Sequence, residues 1–308
     1  MQVVAISISK KKGTRKSPVN EALLIAGHGV AHDAHAGDWH RQVSFLASES
    51  IGRAREGGLA VDFGDFAENI ATRGIDWLNV PVGTRLGIGD QAEVQITQIG
   101  KECHRKCAIY YAAGDCIMPR EGIFARVLKG GTVRVGDGIR FLPPPIVSIV
   151  SKKNSGKTTL LEKLIPELCR RGYRVGTVKH DHHGFDIDRE GKDTWRHKQA
   201  GAATVVISSP KKIALVKDVD AEMDLDRIVT RFFGDMDLVL TEGYKQGGKP
   251  QIEVFRKAAH DTPLHTKAEP GTLIAVASDV AVDLGVPRLD VNDIQAIADF
   301  IAARFLTR

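Results

Sequence analysis

The chain has 308 residues, 43% of them hydrophobic and 26% charged, which excludes wholesale disorder and, at roughly 100–200 residues per domain, favours two domains over one. No run approaches the ~18 consecutive apolar residues of a membrane span, and Met1–Ala5 lacks the basic and apolar regions of a signal peptide, so a cytoplasmic protein with no membrane partner is expected. The net charge of +5 is mild, and its one dense basic run, Lys10-Lys11-Lys12-Gly13-Thr14-Arg15-Lys16, comes with no nucleic-acid module, so no nucleic-acid partner is expected.

From the N-terminus, Gln2–Ser9 alternates partially and Ser48–Glu56 reads as a short helix. Glu93–Ile99 places apolar residues at every second position before a slip, and Thr132–Phe141 is broken by the turn Gly136-Asp137-Gly138. Period two punctuated by Gly and Asp predicts a mainly β, barrel-like domain over residues 1–142. Pro143-Pro144-Pro145 resists both helix and central strand and reads as a stiff connector.

Beyond the prolines, strands and helices alternate. Ile146–Val150 is a five-residue apolar run suited to a buried parallel strand. Thr158–Arg171 has helical apolar spacing and stops at Gly172. Strands are predicted at Tyr173–Val178, Ala203–Ile207, Lys212–Val216, Met236–Leu240, Gln251–Phe255 and Leu273–Ala277, with a helix over Leu225–Phe233. Asn292 or Asp293 caps a final helix. The alternation predicts an open α/β sheet over residues 146–308, and a multidomain chain.

The first strand of that sheet runs into Ser151-Lys152-Lys153-Asn154-Ser155-Gly156-Lys157-Thr158-Thr159. A Gly-Lys-Thr between a buried strand and a helix is the context of a phosphate-binding loop (P-loop), so Ser155, Gly156, Lys157, Thr158 and Thr159 are the nucleotide-binding candidates. Lys157 can reach the β and γ phosphates, and the Thr158 hydroxyl can ligate Mg2+. The full pattern has glycine at position 151, where this chain has Ser151. Asp237-Leu238-Val239-Leu240-Thr241-Glu242-Gly243 ends a strand on a carboxylate, which suits Glu242 to Mg2+ coordination or water activation. Lys179-His180-Asp181-His182-His183 reads as a γ-phosphate-sensing loop containing Asp181, or as a metal site. No Asn-Lys-x-Asp tetrad is present, and Ser278-Asp279 is a candidate reader of a base edge.

Together with Lys192-Asp193-Thr194, Gln199–Ala202 and Leu238–Lys245, these residues resemble the MobB family, the molybdopterin-guanine dinucleotide biosynthesis adaptor protein B. The resemblance implies a homodimeric, GTP-binding protein that hydrolyses GTP weakly. It assists attachment of GMP to the molybdenum-bearing pterin, while the guanylyltransferase itself is a separate partner. The family usually carries glycines where this chain has Ser151 and Asn154.

In the first half, Cys103 sits among Lys101, His104 and Arg105, cations that favour a thiolate. This suits a sulfur carrier or a soft-metal ligand, and with Cys107, Cys116 and His104 a zinc site is open. Ser9–Lys16, Asp33–Ser44, Gly64–Ile70, Gly100–Cys107 and Gly114–Leu128 resemble the MOSC domain, named from the C-terminal domain of molybdenum cofactor sulfurase. That resemblance implies a barrel that binds the molybdenum cofactor or carries sulfur to it, with Cys103 reactive and ligating molybdenum. It makes Lys12, Arg15 and Lys16 candidates for the pterin phosphate. A glycine of the family motif is Ala67 here. The expectation is a fusion for molybdenum cofactor maturation that uses GTP, Mg2+ and molybdopterin and serves molybdoenzyme clients. The alternatives are a metallochaperone GTPase and a non-catalytic cofactor scaffold.

Overall fold

The computed structural model describes residues 1–103, 110–111, 114–181, 184–267 and 272–306. The first half carries strands β1 (Gln2–Ile8), β2 (Ser17–Val19), β3 (Glu21–Ile25), β4 (Gly29–Val30), β5 (Val43–Ala47), β6 (Ile70–Arg73), β7 (Arg85–Ile88), β8 (Ala92–Ile99), β9 (Ile123–Lys129), β10 (Gly131–Arg134) and β11 (Ile139–Leu142), with helices α1 (Ser48–Glu56) and α2 (Met118–Glu121). One sheet runs β11-β7-β8-β9-β5-β6-β1-β2. An antiparallel bridge between Gln2 and Gly138 brings β1 back beside the start of β11 and closes the barrel. Closure removes the edges that an open sheet would expose. Alternate side chains fill the interior: Phe45, Leu86, Ile88, Val94, Ile96 and Ile123 are all buried. The Phe45 and Trp77 rings lie 5.5 Å apart, and the buried Trp77 indole donates to Thr72 Oγ1 at 2.7 Å.

The second half carries β12 (Ile146–Val150), α3 (Lys157–Arg170), β13 (Val175–Lys179), α4 (Asp193–Gln199), β14 (Thr204–Ser209), β15 (Lys212–Lys217), α5 (Leu225–Phe232), β16 (Leu238–Glu242), β17 (Gln251–Phe255), β18 (Leu273–Ser278), β19 (Arg288–Asp290) and α6 (Ile294–Phe305). Its main sheet is parallel in the order β13-β16-β12-β17-β18-β19. Leu160, Leu164 and Leu168 of α3 pack with Ile297 and Ile301 of α6 on one face, and Leu225 and Val229 of α5 cover Ile146 and Val239 on the other. Asp293 is the cap of the last helix, its carboxylate accepting from Ala296 N at 3.0 Å. The strand-and-helix pattern therefore holds, with two differences: the sheet gains the short edge strand β19, which the sequence does not predict, and the predicted strands do not all join it. β14 and β15 leave the main sheet and pair as a separate antiparallel ribbon. Their apolar alternation does not distinguish a sheet strand from an exposed ribbon.

The halves touch at the amino ends of the parallel strands. Gln95 of β8 donates to Asp237 Oδ1 at 2.6 Å, and Arg174 donates to the Val82 carbonyl at 2.8 Å. Asp237 precedes β16 and Arg174 precedes β13. The carboxyl ends of those five-residue strands, about 17 Å away at ~3.3 Å per residue, carry the groups described next.

Candidate functional site

The loop between β12 and α3 turns through Asn154 at φ +62° and Gly156 at φ +88°. Asn is among the few residues other than Gly that tolerate the left-handed region, which answers the departure at position 154. Ser151 stays outside that region and needs no glycine. It is buried, donates to the Lys152 carbonyl at 2.6 Å and accepts from Lys157 Nζ at 2.9 Å. The buried Ser155 hydroxyl also donates to Lys152 O, at 3.1 Å. Burial lowers the Lys157 pKa from the usual lysine value; Lys245 and Lys179 add to this, and Glu242 opposes it.

At the start of α3 the Thr158 hydroxyl lies 3.0 and 3.1 Å from the two Glu242 oxygens. Strand pairing sets this up: β16 neighbours β12, so its carboxyl end faces the loop. Across β13, His180 N donates to the Glu242 carbonyl at 3.1 Å. The His180 ring stacks on Tyr244 at 4.8 Å, and its Nε2 lies 2.7 Å from Glu222. An open cleft of about 980 Å³ is lined by Ser151, Lys157, Lys179, Asp181, Glu242 and Lys245, among others. Lys157, Thr158, Glu242 and Asp181 thus come together, while Thr159 is exposed on α3. Asp279 stands elsewhere, at the end of β18 on the other side of β12, with its Oδ1 accepting from Lys257 N at 3.1 Å. Between lies Arg256, 3.4 Å from where a Cβ on Gly156 would be. His182 and His183 lie outside the described residues. Among the described residues no cluster of three His, Cys, Asp or Glu side chains is placed to hold a metal.

The second constellation lies on the barrel. The basic run forms a compact turn, with Ser9 Oγ donating to Lys11 O at 2.8 Å and lying 2.9 Å from Thr14 Oγ1. Lys12 is exposed, with its ammonium 5.7 Å from the Trp39 ring centre; the Arg41 guanidinium is 4.7 Å from that ring centre. Arg15 is partly exposed and its Nε lies 3.4 Å from Asp65. Lys16 departs from the expectation that it meets the pterin phosphate: its side chain is fully buried and its ammonium is bound by the equally buried Asp33, with His35 Nδ1 at 3.3 Å. Burial acts to raise the Asp33 pKa, but hydrogen bonds from His35 and Lys16 and the Lys16 charge outweigh it and hold Asp33 well below the usual carboxylate range. Lys16 therefore anchors the turn from inside.

His40 Nε2 lies 2.9 Å from Gln98 Oε1, and Gln98 donates to the Gly100 carbonyl at 2.7 Å. This ties the Trp39–His40 turn to the end of β8, four residues before the exposed Cys103. His104, Arg105 and Cys107 lie outside the described residues. Cys116 is buried with Ile117, Met118 and Phe66, away from solvent. Glu68, inside the Gly64–Ile70 stretch, carries no role that its sequence reveals. It is 1% exposed, its Oε1 accepts from Gly64 N at 2.5 Å, and its buried Oε2 has no hydrogen-bond partner among the described residues. Burial pushes this carboxyl up to about 7. Its neighbour Ala67 takes φ +66°, which explains a glycine at this position in the resembled motif.

The family model described as molybdopterin guanine dinucleotide synthesis protein B (MobB) matches residues 146–279, and that of the MOSC domain matches residues 32–140. The molybdopterin-guanine dinucleotide biosynthesis adapter protein of Escherichia coli (strain K12) is 40% identical over 160 residues, covering 51% of this chain and 91% of that protein. Its Haemophilus influenzae counterpart is 40% identical over 158 residues, covering 51% of this chain and 87% of that protein. A crystal structure of molybdopterin-guanine biosynthesis protein B is 36% identical, covering 51% of this chain and 98% of that one, at a TM-score of 0.41. The chain belongs to the MobB family of molybdopterin-guanine dinucleotide biosynthesis adapter proteins, and it carries a MOSC domain ahead of its MobB region.

Proposed function

We propose that the region 146–308 binds Mg-GTP and assists a separate guanylyltransferase in forming the pterin dinucleotide, while the region 1–142 binds the molybdenum cofactor or carries sulfur to it. The observation that carries the first part is the approach of Thr158 to Glu242 at the start of α3. A hydroxyl and a carboxylate beside a phosphate loop are the hard oxygen donors Mg2+ requires. Thr158 and Glu242 would hold that ion, which when bound neutralises phosphate charge. Lys157 and the N–H groups of Ser155–Thr159 hold the phosphates. In this reading Asp181 and Glu242, which line the same cleft as Lys157, face the γ-phosphate and support slow hydrolysis. Asp279 stands on the opposite side as reader of the base.

In the barrel, Lys12 and Arg15 present charge for the pterin phosphate, Lys16 shapes their turn from below, and the exposed thiol of Cys103 meets molybdenum or sulfur. One pair of variants tests both halves. Glu242→Gln is expected to weaken GTP binding on the order of tenfold when Mg2+ is present and little when it is chelated, by calorimetry. Cys103→Ala should lose cofactor or sulfur binding while keeping nucleotide binding. Unchanged behaviour in either variant contradicts the corresponding role.

The ribbon β14–β15 favours a second copy of this chain as partner. Val206, Ile213 and Leu215 share one of its faces and are 49%, 74% and 46% exposed. Its outer strand edges are open to pairing. A solution mass twice that of one 33.5 kDa chain is expected by light scattering; the mass of one chain at micromolar concentration contradicts it. Cys103 and Cys169 are free and exposed thiols, consistent with a reducing, cytoplasmic setting. Molybdoenzymes are the downstream clients.

A further inference from the structure

A buried carboxylate in the middle of the parallel sheet needs a physical reason. Glu253 on β17 is 1% exposed and sits between Ile252 and Val254, which are 0% and 1% exposed. Such a group is costly to bury unless its oxygens are satisfied. Its Oε1 accepts from Leu264 N, and its Oε2 accepts from His265 N at 3.0 Å and lies 2.7 Å from His265 Nδ1. All three partners belong to the segment that follows the strand. Glu253 therefore fastens residues 264–265 back onto the sheet.

Fastened there, the segment runs across the outside of the phosphate loop and grips it. The Thr262 carbonyl and hydroxyl accept from Lys152 Nζ at 2.8 and 2.9 Å. His260 Nε2 lies 2.7 Å from the Lys153 carbonyl. These contacts join residues more than a hundred positions apart, and none involves the Gly-Lys-Thr portion of the loop. They draw Lys152 toward the β17 side, away from Glu242, and leave Lys157 as the ammonium bonded at the loop's centre.

We propose that residues 256–266 are a strap that pre-shapes the phosphate loop for nucleotide, with Thr262 and His260 as positioning residues and Glu253 as the anchor. The inference rests on the reading of residues 151–159 as a nucleotide site. Its physical basis is pre-organisation. A loop held in its binding shape before the ligand arrives loses less conformational freedom on binding. This loop has Ser151, Lys152, Lys153 and Asn154 where the resembled family has a glycine-richer run, so it takes part of its shape from outside.

The test is calorimetric titration of the full chain with Mg-GTP. Thr262→Val, His260→Ala and Lys152→Met are each expected to raise Kd by roughly three- to tenfold, the size of one or two hydrogen bonds. Thermal midpoints should stay within about 2 °C, because these side chains are surface-facing. Thr262→Ser should restore wild-type affinity. Lys152→Met with Thr262→Val together should cost no more than the lysine change alone, the non-additivity of residues acting through one contact. Single variants within twofold of wild type, or multiplying effects in the double variant, overturn the strap alone. A wild-type chain that binds no nucleotide overturns the phosphate-site reading and the strap with it.

Discussion

Asp33→Ala is expected to destabilise the barrel by about 3–5 kcal/mol, the cost of leaving a buried charge without its partner. Lys16 and Asp33 both have side chains at 0% exposure. Removing the carboxylate strands an ammonium whose remaining hydrogen-bond partner among the described residues is His35 Nδ1, at 3.3 Å, with Glu68 also close enough to act on its charge. It also frees the backbone N–H groups of Ser9 and His35, which donate to Asp33 at 2.9 and 3.0 Å. Turn, ion pair and barrel wall should therefore loosen together. Urea unfolding followed by tryptophan emission reads this, since Trp39 and Trp77 both lie in the barrel. Adding Lys16→Met to Asp33→Ala should recover part of the loss, because the orphaned charge is then gone. A loss below ~1 kcal/mol for the single variant would mean the pair is open to water.

Glu68 should make stability fall as pH rises. Its folded-state pKa is about 7, raised from an ordinary carboxylate value near 4.5. A raised pKa contributes stability below the unfolded value and loses it as pH climbs through the folded one. Over that window the loss is about 3 kcal/mol at ~1.4 kcal/mol per unit. Glu68→Gln removes the titration, keeps an acceptor for Gly64 N and gives the buried site a neutral amide. The variant is expected to match wild type near pH 5 and to exceed it by about 2–3 kcal/mol near pH 8, in urea midpoints. Parallel curves across the range would show that Glu68 does not titrate there.

What the sequence made legible is what depends on neighbours along the chain. Ile146–Val150, Gln251–Phe255 and Ser48–Glu56 have the bounds that their apolar patterns predict. The Gly-Lys-Thr loop sits between the expected strand and helix, and Thr158 meets Glu242 because strand order brings β16 beside β12. Long-range contacts decide what was not legible. A run of lysines does not reveal that Lys16 turns inward, since its partner Asp33 lies 17 positions on. Nothing local in the sequence marks Glu68 and Glu253 as buried; tertiary packing leaves each 1% exposed. Nothing in the loop sequence indicates that Lys152 is held by Thr262, 110 positions away. Asn154 and Ala67 read as departures from glycine; the backbone takes φ +62° and +66° at these positions all the same, at a cost of about 1–2 kcal/mol for an ordinary residue such as alanine.

The proposed function requires the loop at residues 151–159 to bind a guanine nucleotide. Calorimetric titration of the full chain with Mg-GTP and with Mg-ATP, beside Lys157→Ala, addresses that directly. GTP should bind, ATP should bind at least tenfold more weakly, and Lys157→Ala should weaken GTP by on the order of a hundredfold, the loss of a charged contact to phosphate. Equal binding of both nucleotides, or GTP binding that survives the loss of Lys157, would contradict it.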